Sequence, residues 1–186
     1  MMRRGDLLKI VPLSSASFNS LGTRSLLPLK GEKRTEAPLE TMRKEGWGRY
    51  TADDALRIAL MLELGRIGYP QLTASWTVRS QYEDLIAFAE SEQRAPILFG
   101  TFGTLVEGRN GEESAVARLP LITTVCGFGS DLDDILNTAG LKSSEVTDVA
   151  VVNASKVAAS LIGRASAHGV QSSRFARMAT TFAVPE

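Results

Sequence analysis

Few side chains in this sequence are of the kinds that perform nucleophilic chemistry. It contains one histidine, His168, and one cysteine, Cys126, among 186 residues. His168 lies at the predicted C-terminal end of a helix, where an imidazolium interacts favourably with the helix dipole, a commoner role than membership of a Ser-His-Asp triad. Cys126 lies in an apolar stretch that is typical of a buried, unreactive thiol. We therefore expect no active site built on either residue.

Patterns that would hold a metal ion or a nucleotide are also missing. One cysteine and one histidine cannot make an ordinary zinc site, and the acidic residues within 131–134 lack the spacing of an EF-hand loop. No Walker A pattern occurs, and neither Gly100 and Gly103 nor residues 127–129 complete a Gly-x-Gly-x-x-Gly motif. We interpret these glycines as marks of bulges or turns. The sequence predicts a protein that is not an enzyme and uses no metal or cofactor.

The first 50 residues carry side chains that suit nucleic-acid recognition. A predicted helix near residues 15–23 is rich in small hydrogen-bonding side chains, which can contact base edges and phosphates. Residues 30–46 are polar and rich in charge, and their cations suit the phosphate backbone. The candidate DNA-binding residues are Ser15, Ser17, Asn19, Ser20, Thr23, Arg24, Lys30, Lys33, Arg34 and Arg49. A solvated charged loop beside an ordinary serine-rich helix is the alternative that these features leave open.

The charge distribution agrees with a DNA-facing first half. Residues 1–80 hold 13 lysines and arginines against 8 acidic residues, a net charge of +5, and the remainder carries −5. Such an asymmetry hints at a half that faces nucleic acid or a membrane. Apolar residues make up 44% and charged residues 23%, as in soluble globular chains. Because no apolar run approaches the roughly 20 residues of a membrane span and no secretory signal is expected, we predict a cytoplasmic protein without a membrane partner.

The elements that must position these side chains follow from apolar spacing and capping signals. Short helices are predicted over residues 3–10 and about 15–23, the second capped by Ser14 or Ser15. The clearest helix begins after a capping box at Thr51 and ends at Gly68. Further helix is predicted over residues 72–76 and 78–90, and the pattern changes from helical to strand-like at Pro96.

From Pro96 onward the sequence mixes strands and helices. The predicted elements are strands over residues 97–107, 115–128 and 148–152 and helices over residues 131–139 and 153–168.

The order of elements at the start of the chain, two short helices, a basic hairpin and a long helix, is that of a winged helix-turn-helix. We therefore predict an α+β fold with two domains. Residues 1–80 form a mostly helical winged helix-turn-helix, and residues 95–186 form a small α/β domain for dimerisation or an effector.

Residues 3–80 resemble the DNA-binding domain of MerR-type regulators, which are named after the mercury-resistance regulator. The stretch from Arg49 to Asp54 is similar to the Arg-Tyr-Thr-x-x-Asp segment between wing and third helix in that family, and residues 64–68 match its Leu-x-x-x-Gly. Residues 13–28 are similar to the family's recognition helix and the segment that follows it. The resemblance, closest to regulators of bacterial prophage regions, implies transcriptional regulation through duplex DNA. Modules of this size commonly read two half-sites as a dimer, so we expect a homodimer.

The chain departs from that family in four respects. Its wing loop is longer than usual, and no long antiparallel coiled-coil helix with heptads is expected after residue 80. The other two departures concern residue types. Residues 20–24 stand where an aromatic-rich Arg-Tyr-Tyr is usual, and the metal-sensing cysteines are absent. The resemblance therefore says little about an effector, and a small molecule, a protein and the absence of any effector all stay open as alternatives. Two alternatives stay open: an excisionase-like factor that bends DNA, and a protein-interaction module such as an antitoxin or assembly factor.

Overall fold

The computed structural model describes residues 1–29, 50–91, 96–104, 121–128 and 146–183. These ranges contain six α-helices and three β-strands, so the fold is α+β with mostly helical content. The elements in chain order are α1 (Arg4–Ile10), α2 (Ser15–Thr23), α3 (Ala52–Arg66), α4 (Gln71–Ser91), β1 (Ile97–Thr104), β2 (Leu121–Phe128), β3 (Val146–Asn153), α5 (Ala154–Ala167) and α6 (Ser173–Thr181). None of these helices is long and apolar enough to cross a membrane. The helix predicted over residues 131–139 lies outside the described ranges.

The helix starts are set by side chains that satisfy free backbone N–H groups. The Ser14 hydroxyl accepts the Ser17 N–H at 3.0 Å, which begins α2. At the start of α3, the Thr51 hydroxyl accepts the Asp54 N–H at 3.1 Å, and the Asp54 carboxylate accepts the Thr51 N–H at 2.8 Å. Gly68 follows α3 with a φ of +96°, a conformation that glycine adopts without strain. The caps predicted at Ser14 and Thr51 and the stop at Gly68 are confirmed.

The second half of the helical region is more continuous than the sequence suggests. Helix α4 is a single 21-residue helix, and it passes through residue 80, where the predicted N-terminal domain ends. Helix α6 has no counterpart among the predicted elements, although Ser172 caps it by accepting the Arg174 N–H at 3.2 Å. Helix α5 begins as predicted, because the Asn153 side chain accepts the Lys156 N–H at 2.8 Å.

The three strands form one antiparallel sheet in the order β2-β1-β3. Phe99 in the central strand lies opposite Cys126 on one side and Val152 on the other. Alternate residues of a strand point to the same face, and the residues that share the face of Phe99 are buried. The buried residues on this face are Ile97, Phe99, Thr101, Ala150 and Val152. The face of the sheet that carries Phe99 therefore forms part of the protein core.

A single cluster of buried side chains joins the two halves of the chain. It includes Leu56 and Leu64 from α3, Leu85 from α4, Phe99 from β1 and Leu161 from α5, each fully buried. Non-directional burial of apolar surface is the main force that holds such elements together. The described residues of the two halves thus share one core, while the division into domains over residues 1–80 and 95–186 stays a prediction.

Candidate nucleic-acid interface

Helices α1 and α2 are joined by four residues, Val11 to Ser14, and both contribute buried side chains to the protein core. Each helix turns two apolar side chains inward, Leu7 and Ile10 from α1 and Phe18 and Leu21 from α2, and all four are buried. Since α2 has only nine residues, its own hydrogen bonds give it marginal stability. Its position in the protein is therefore determined by this packing.

Arg4 ties the two helices together with polar contacts. Its guanidinium donates to the Ser15 carbonyl at 3.2 Å and to the Ser15 hydroxyl at 3.0 Å. The same group lies 5.2 Å from the centre of the Phe18 ring, within the range of a cation–π interaction. The sequence analysis did not single out Arg4, since nothing in its spacing indicates a partner 11 residues away. Its role is to hold the N-terminal end of α2 against α1.

The outward side of α2 is an exposed stripe of small and hydrogen-bonding side chains. Ala16, Asn19, Ser20 and Thr23 are exposed and lie at helical positions i, i+3, i+4 and i+7, so they share one face. We call these four residues the α2 stripe. Ala16 was not among the predicted site residues, although its methyl group is suited to contact with a thymine methyl. The stripe can present one amide, two hydroxyls and a methyl group to a partner.

The structure divides the predicted residues of α2 by what their side chains already bind. Ser15 accepts from Arg4, and the Ser17 hydroxyl lies 2.8 Å from the Ser14 hydroxyl. Arg24, directly after the helix, donates to the Gln71 side chain at 3.4 Å. By contrast, the side chains of Asn19, Ser20 and Thr23 make no hydrogen bond to any residue in the described ranges. These three can form hydrogen bonds to a partner without breaking one within the protein.

The remaining predicted residues, Lys30, Lys33, Arg34 and Arg49, lie outside the described ranges. The residue that follows them is described: Tyr50 pairs with Met2 through backbone hydrogen bonds of 2.7 and 2.8 Å. Its ring meets Phe18 edge to face at a centroid distance of 5.8 Å. Tyr50 is therefore held next to α1 by its pairing with Met2 and packs against the Phe18 ring of α2.

Arg79, a second arginine without a signal in the sequence, binds the backbone that follows α2. Arg79, on α4, donates to the backbone oxygens of Ser25 at 2.6 Å and Leu27 at 2.8 Å. Ser25 has a positive φ of 53°, which is uncommon for a residue with a side chain. Arg79 thus stabilises the turn after α2 from a position 52 to 54 residues further along the chain.

A polar network at the start of α3 links three helices, α3, α4 and α6. The Asp53 carboxylate accepts the Tyr82 hydroxyl at 2.8 Å and two nitrogens of Arg174 at 3.0 and 3.1 Å. Tyr82 belongs to α4 and Arg174 to α6. The Arg57 guanidinium stacks 3.9 Å from the centre of the Tyr82 ring and pairs with Glu83 at 2.8 Å. Asp53 therefore connects the N-terminal helices to the C-terminal end of the described chain.

Two pKa values in this network are raised, each by a different main cause. Burial raises the pKa of the Tyr82 hydroxyl well above its ordinary value, and the neighbouring Asp53 carboxylate raises it further. The hydrogen bond to Asp53 also raises the pKa of Arg174. Both donors consequently keep their protons at neutral pH and remain able to donate to the Asp53 side chain.

Replacing Asp53 with alanine should lower the free energy of unfolding by about 2 kcal/mol. The change leaves the buried Tyr82 hydroxyl without its acceptor and Arg174 without its counter-ion. The value is below that of a fully buried ion pair, because the Asp53 and Arg174 side chains are 24% and 29% exposed. Urea unfolding of the variant against wild type measures the effect. Glu63→Gln, which alters an exposed contact with Arg66 on the same helix, should change stability by less than about 0.5 kcal/mol, and an equal loss in both variants would contradict this role of Asp53.

Tyr82→Phe should remove part of the loss of stability at alkaline pH. The pKa of Tyr82 is raised in the folded chain, so above pH about 10 the unfolded chain loses this proton more readily. The contribution of the protonated Tyr82 hydroxyl to the free energy of unfolding is therefore complete below pH about 10, and it decreases as the pH rises above that value. At pH 7 the variant should be less stable by about 1–2 kcal/mol for the lost hydrogen bond, and the difference should shrink at high pH. A difference that stays constant from pH 7 to 11 would show that Tyr82 does not titrate as described.

In the part of the chain that is described, no group of three or more histidine, cysteine, aspartate or glutamate side chains is arranged to hold a metal ion. Comparison of the chain with protein-family models, curated proteins and solved structures gave no match. The likeness to MerR-type regulators consequently stays a resemblance in the residues quoted above.

Proposed function

We propose that the protein is a sequence-specific duplex-DNA-binding transcriptional regulator. The single observation that carries the proposal is the α2 stripe, an exposed polar face on a short helix that its neighbours hold firmly. In this proposal α1 and α2 are the helix-turn-helix and α2 is the recognition helix, whose side chains meet base edges in the major groove. The resemblance to MerR-type regulators supports the same role and favours a prophage setting.

The charge around α2 supports contact with a polyanion. Residues 1–29 contain Arg3, Arg4, Lys9 and Arg24 against one acidic residue, Asp6, a net charge of +3. Cations of this kind contact phosphates and position a protein on the duplex, whereas the side chains in the groove read its sequence. The α2 stripe itself carries no charge, which suits the second task. The division of roles agrees with the general pattern of helix-turn-helix recognition.

We also propose that the regulator acts as a homodimer. A single nine-residue helix reads only a few base pairs, and helix-turn-helix proteins usually gain specificity from two half-sites one helical turn apart. A winged loop over residues 30–49 remains part of the proposal on sequence grounds alone.

The experiment that tests the function is a titration of duplex DNA with the full chain. Fluorescence anisotropy of a labelled random-sequence duplex, measured over a range of salt concentrations, should show binding whose log K falls by about 0.9 for each phosphate contact per tenfold rise in salt. Arg24→Ala should flatten that slope by about one contact. Lys156→Ala, an exposed cation on α5, is the matched control and should leave the slope unchanged. A folded chain that binds no duplex at low salt would overturn the proposal.

A second candidate, a protein-interaction module, is favoured by one specific observation. Three apolar side chains where α3 meets α4 are prominently exposed: Ile67 at 46%, Leu72 at 69% and Trp76 at 52%. Neighbouring exposed apolar residues often mark contacts with other proteins. If such a contact is the main function, Trp76→Ser should abolish binding of the protein partner. Neither the wild type nor the variant should then bind DNA. DNA binding that survives Trp76→Ser favours the regulator instead.

A further inference from the structure

A cavity of about 420 Å³ lies between the first residues of the chain, the start of α3 and the turn from α5 to α6. Its polar lining includes Asp6, Thr51 and Asp53 from the first third of the sequence. It also includes His168, Ser172 and Arg174 from the last 20 residues or so. This volume falls in the range of roughly 300–1,000 Å³ that small-molecule sites usually have. The cavity therefore has the size and the polarity for a small charged ligand.

On the α1 side of the cavity, the Asp6 carboxylate makes only long contacts with its neighbours. Asp6 is 40% exposed and contacts the Lys9 ammonium at 3.7 Å, while its other oxygen accepts the Arg3 N–H at a long 3.4 Å. Neither contact approaches the distances of about 2.7–2.9 Å seen in strong charge-assisted hydrogen bonds. A ligand ammonium could replace both at little cost in free energy.

The part of the lining contributed by α6 and the turn before it offers donors for an anionic group. The contacts of Arg174 with Asp53 use Nε and one terminal nitrogen, and the second terminal nitrogen makes no hydrogen bond to a residue in the described ranges. The exposed His168 side chain likewise has no partner within those ranges. Because Asp53 is held by Tyr82 and Arg174, it does not compete strongly for a ligand cation.

We propose that this cavity binds a small zwitterion of the amino-acid type. Its ammonium lies beside Asp6, and its carboxylate lies at Arg174 and His168. A zwitterion complements both parts of the lining, whereas a simple cation or anion complements one. The cavity is also lined by Met2, which pairs with Tyr50, and by Thr51, which follows Tyr50. A bound ligand therefore stabilises this pairing, which lies beside α1 and Phe18 of α2. That consequence for DNA affinity rests on the proposed function, whereas ligand binding itself does not.

Isothermal titration calorimetry of the full chain tests the proposal. The probes are the twenty common amino acids, with ethylamine as the cation alone and acetate as the anion alone, all at matched millimolar concentrations. At least one amino acid should bind with a measurable heat, and ethylamine and acetate should not. If no amino acid binds, or if ethylamine or acetate binds as tightly as the best amino acid, the proposal is overturned.

Two variants connect the binding to the cavity walls. Asp6→Asn should weaken the affinity about tenfold, as expected for a loss of roughly 1.4 kcal/mol, and Glu63→Gln is the matched control that should change nothing. If Asp6→Asn does not fold, His168→Ala, which removes an exposed side chain, should weaken binding of the carboxylate end. Unchanged affinity in a folded wall variant places the ligand elsewhere and overturns the assignment.

The outcome is distinguishable from that of the proposed function. A chain that binds an amino acid and no DNA refutes the regulator and leaves the ligand site standing. A chain that binds DNA and no amino acid refutes the ligand site alone.

Discussion

Replacing Gly100 with alanine should lower the free energy of unfolding by about 3 kcal/mol, the upper end of typical overpacking effects. Gly100 lies in the central strand opposite Val125 and Val151. A methyl group there would overlap the backbone oxygen of Ala150 and lie 2.7 Å from the Val151 Cα. Backbone atoms paired on both sides of β1 cannot move aside without loss of sheet hydrogen bonds. Urea unfolding, followed by circular dichroism, measures the effect.

Gly163→Ala is the matched control for that variant. Gly163 lies within α5 with no heavy atom within 4 Å of the added methyl group. Alanine is the better helix former by about 1 kcal/mol, so this substitution should stabilise the protein. If both variants lose stability equally, or if Gly100→Ala is neutral, the close approach of β1 and β3 is wrong.

Asn19→Ala should lower the affinity for the preferred duplex by about 5- to 150-fold, the equivalent of roughly 1–3 kcal/mol. Asn19 is exposed on the α2 stripe and makes no hydrogen bond within the described ranges, so its amide is available to read an adenine edge through two hydrogen bonds. Affinity for random duplex should change little, because phosphate contacts supply non-specific binding. Anisotropy titrations with both duplexes measure the two effects.

Two further variants separate base reading from phosphate contact and from general damage. Arg49→Ala, at a position outside the described ranges, should weaken binding to all sequences and reduce the salt slope by about one contact. Ser160→Ala, on the exposed side of α5, should leave both affinities unchanged. Equal losses on the preferred and random duplexes for Asn19→Ala would show that this side chain does not discriminate bases.

Local signals predicted the helices near the proposed interface accurately. The serine cap of α2, the capping box of α3 and the glycine after α3 act within a few residues, so the sequence carries them directly. Phe18 and Leu21, three positions apart, are the apolar residues of α2, and both are buried. Of the two β1 glycines interpreted as marks of bulges or turns, Gly103 lies at the register shift between β1 and β3. Gly100 lies in regular pairing with Val125 and Val151, so that interpretation is wrong for Gly100.

Long-range contacts could not be predicted in the same way. Arg79 binds backbone oxygens more than 50 residues away, and Arg174 reaches Asp53 across 121 residues. Asp53 lies in the first turn of α3, where an acidic residue suits the positive end of the helix dipole. Its contacts with Tyr82 and Arg174 have no signature in sequence spacing. The order of the strands and the burial of Phe99 also depend on tertiary packing, which propensity and periodicity do not encode.

The measurement that tests the central claim most directly is a selection of duplexes from a random pool by the full chain, followed by sequencing. Wild type should enrich a defined sequence, and a variant with Asn19, Ser20 and Thr23 all replaced by alanine should lose that enrichment while it still binds DNA at low salt. These three side chains make no hydrogen bond in the described part of the protein, so the variant is expected to fold normally. Enrichment of the same sequence by both proteins, or of no sequence by wild type, would contradict the account in which α2 reads DNA.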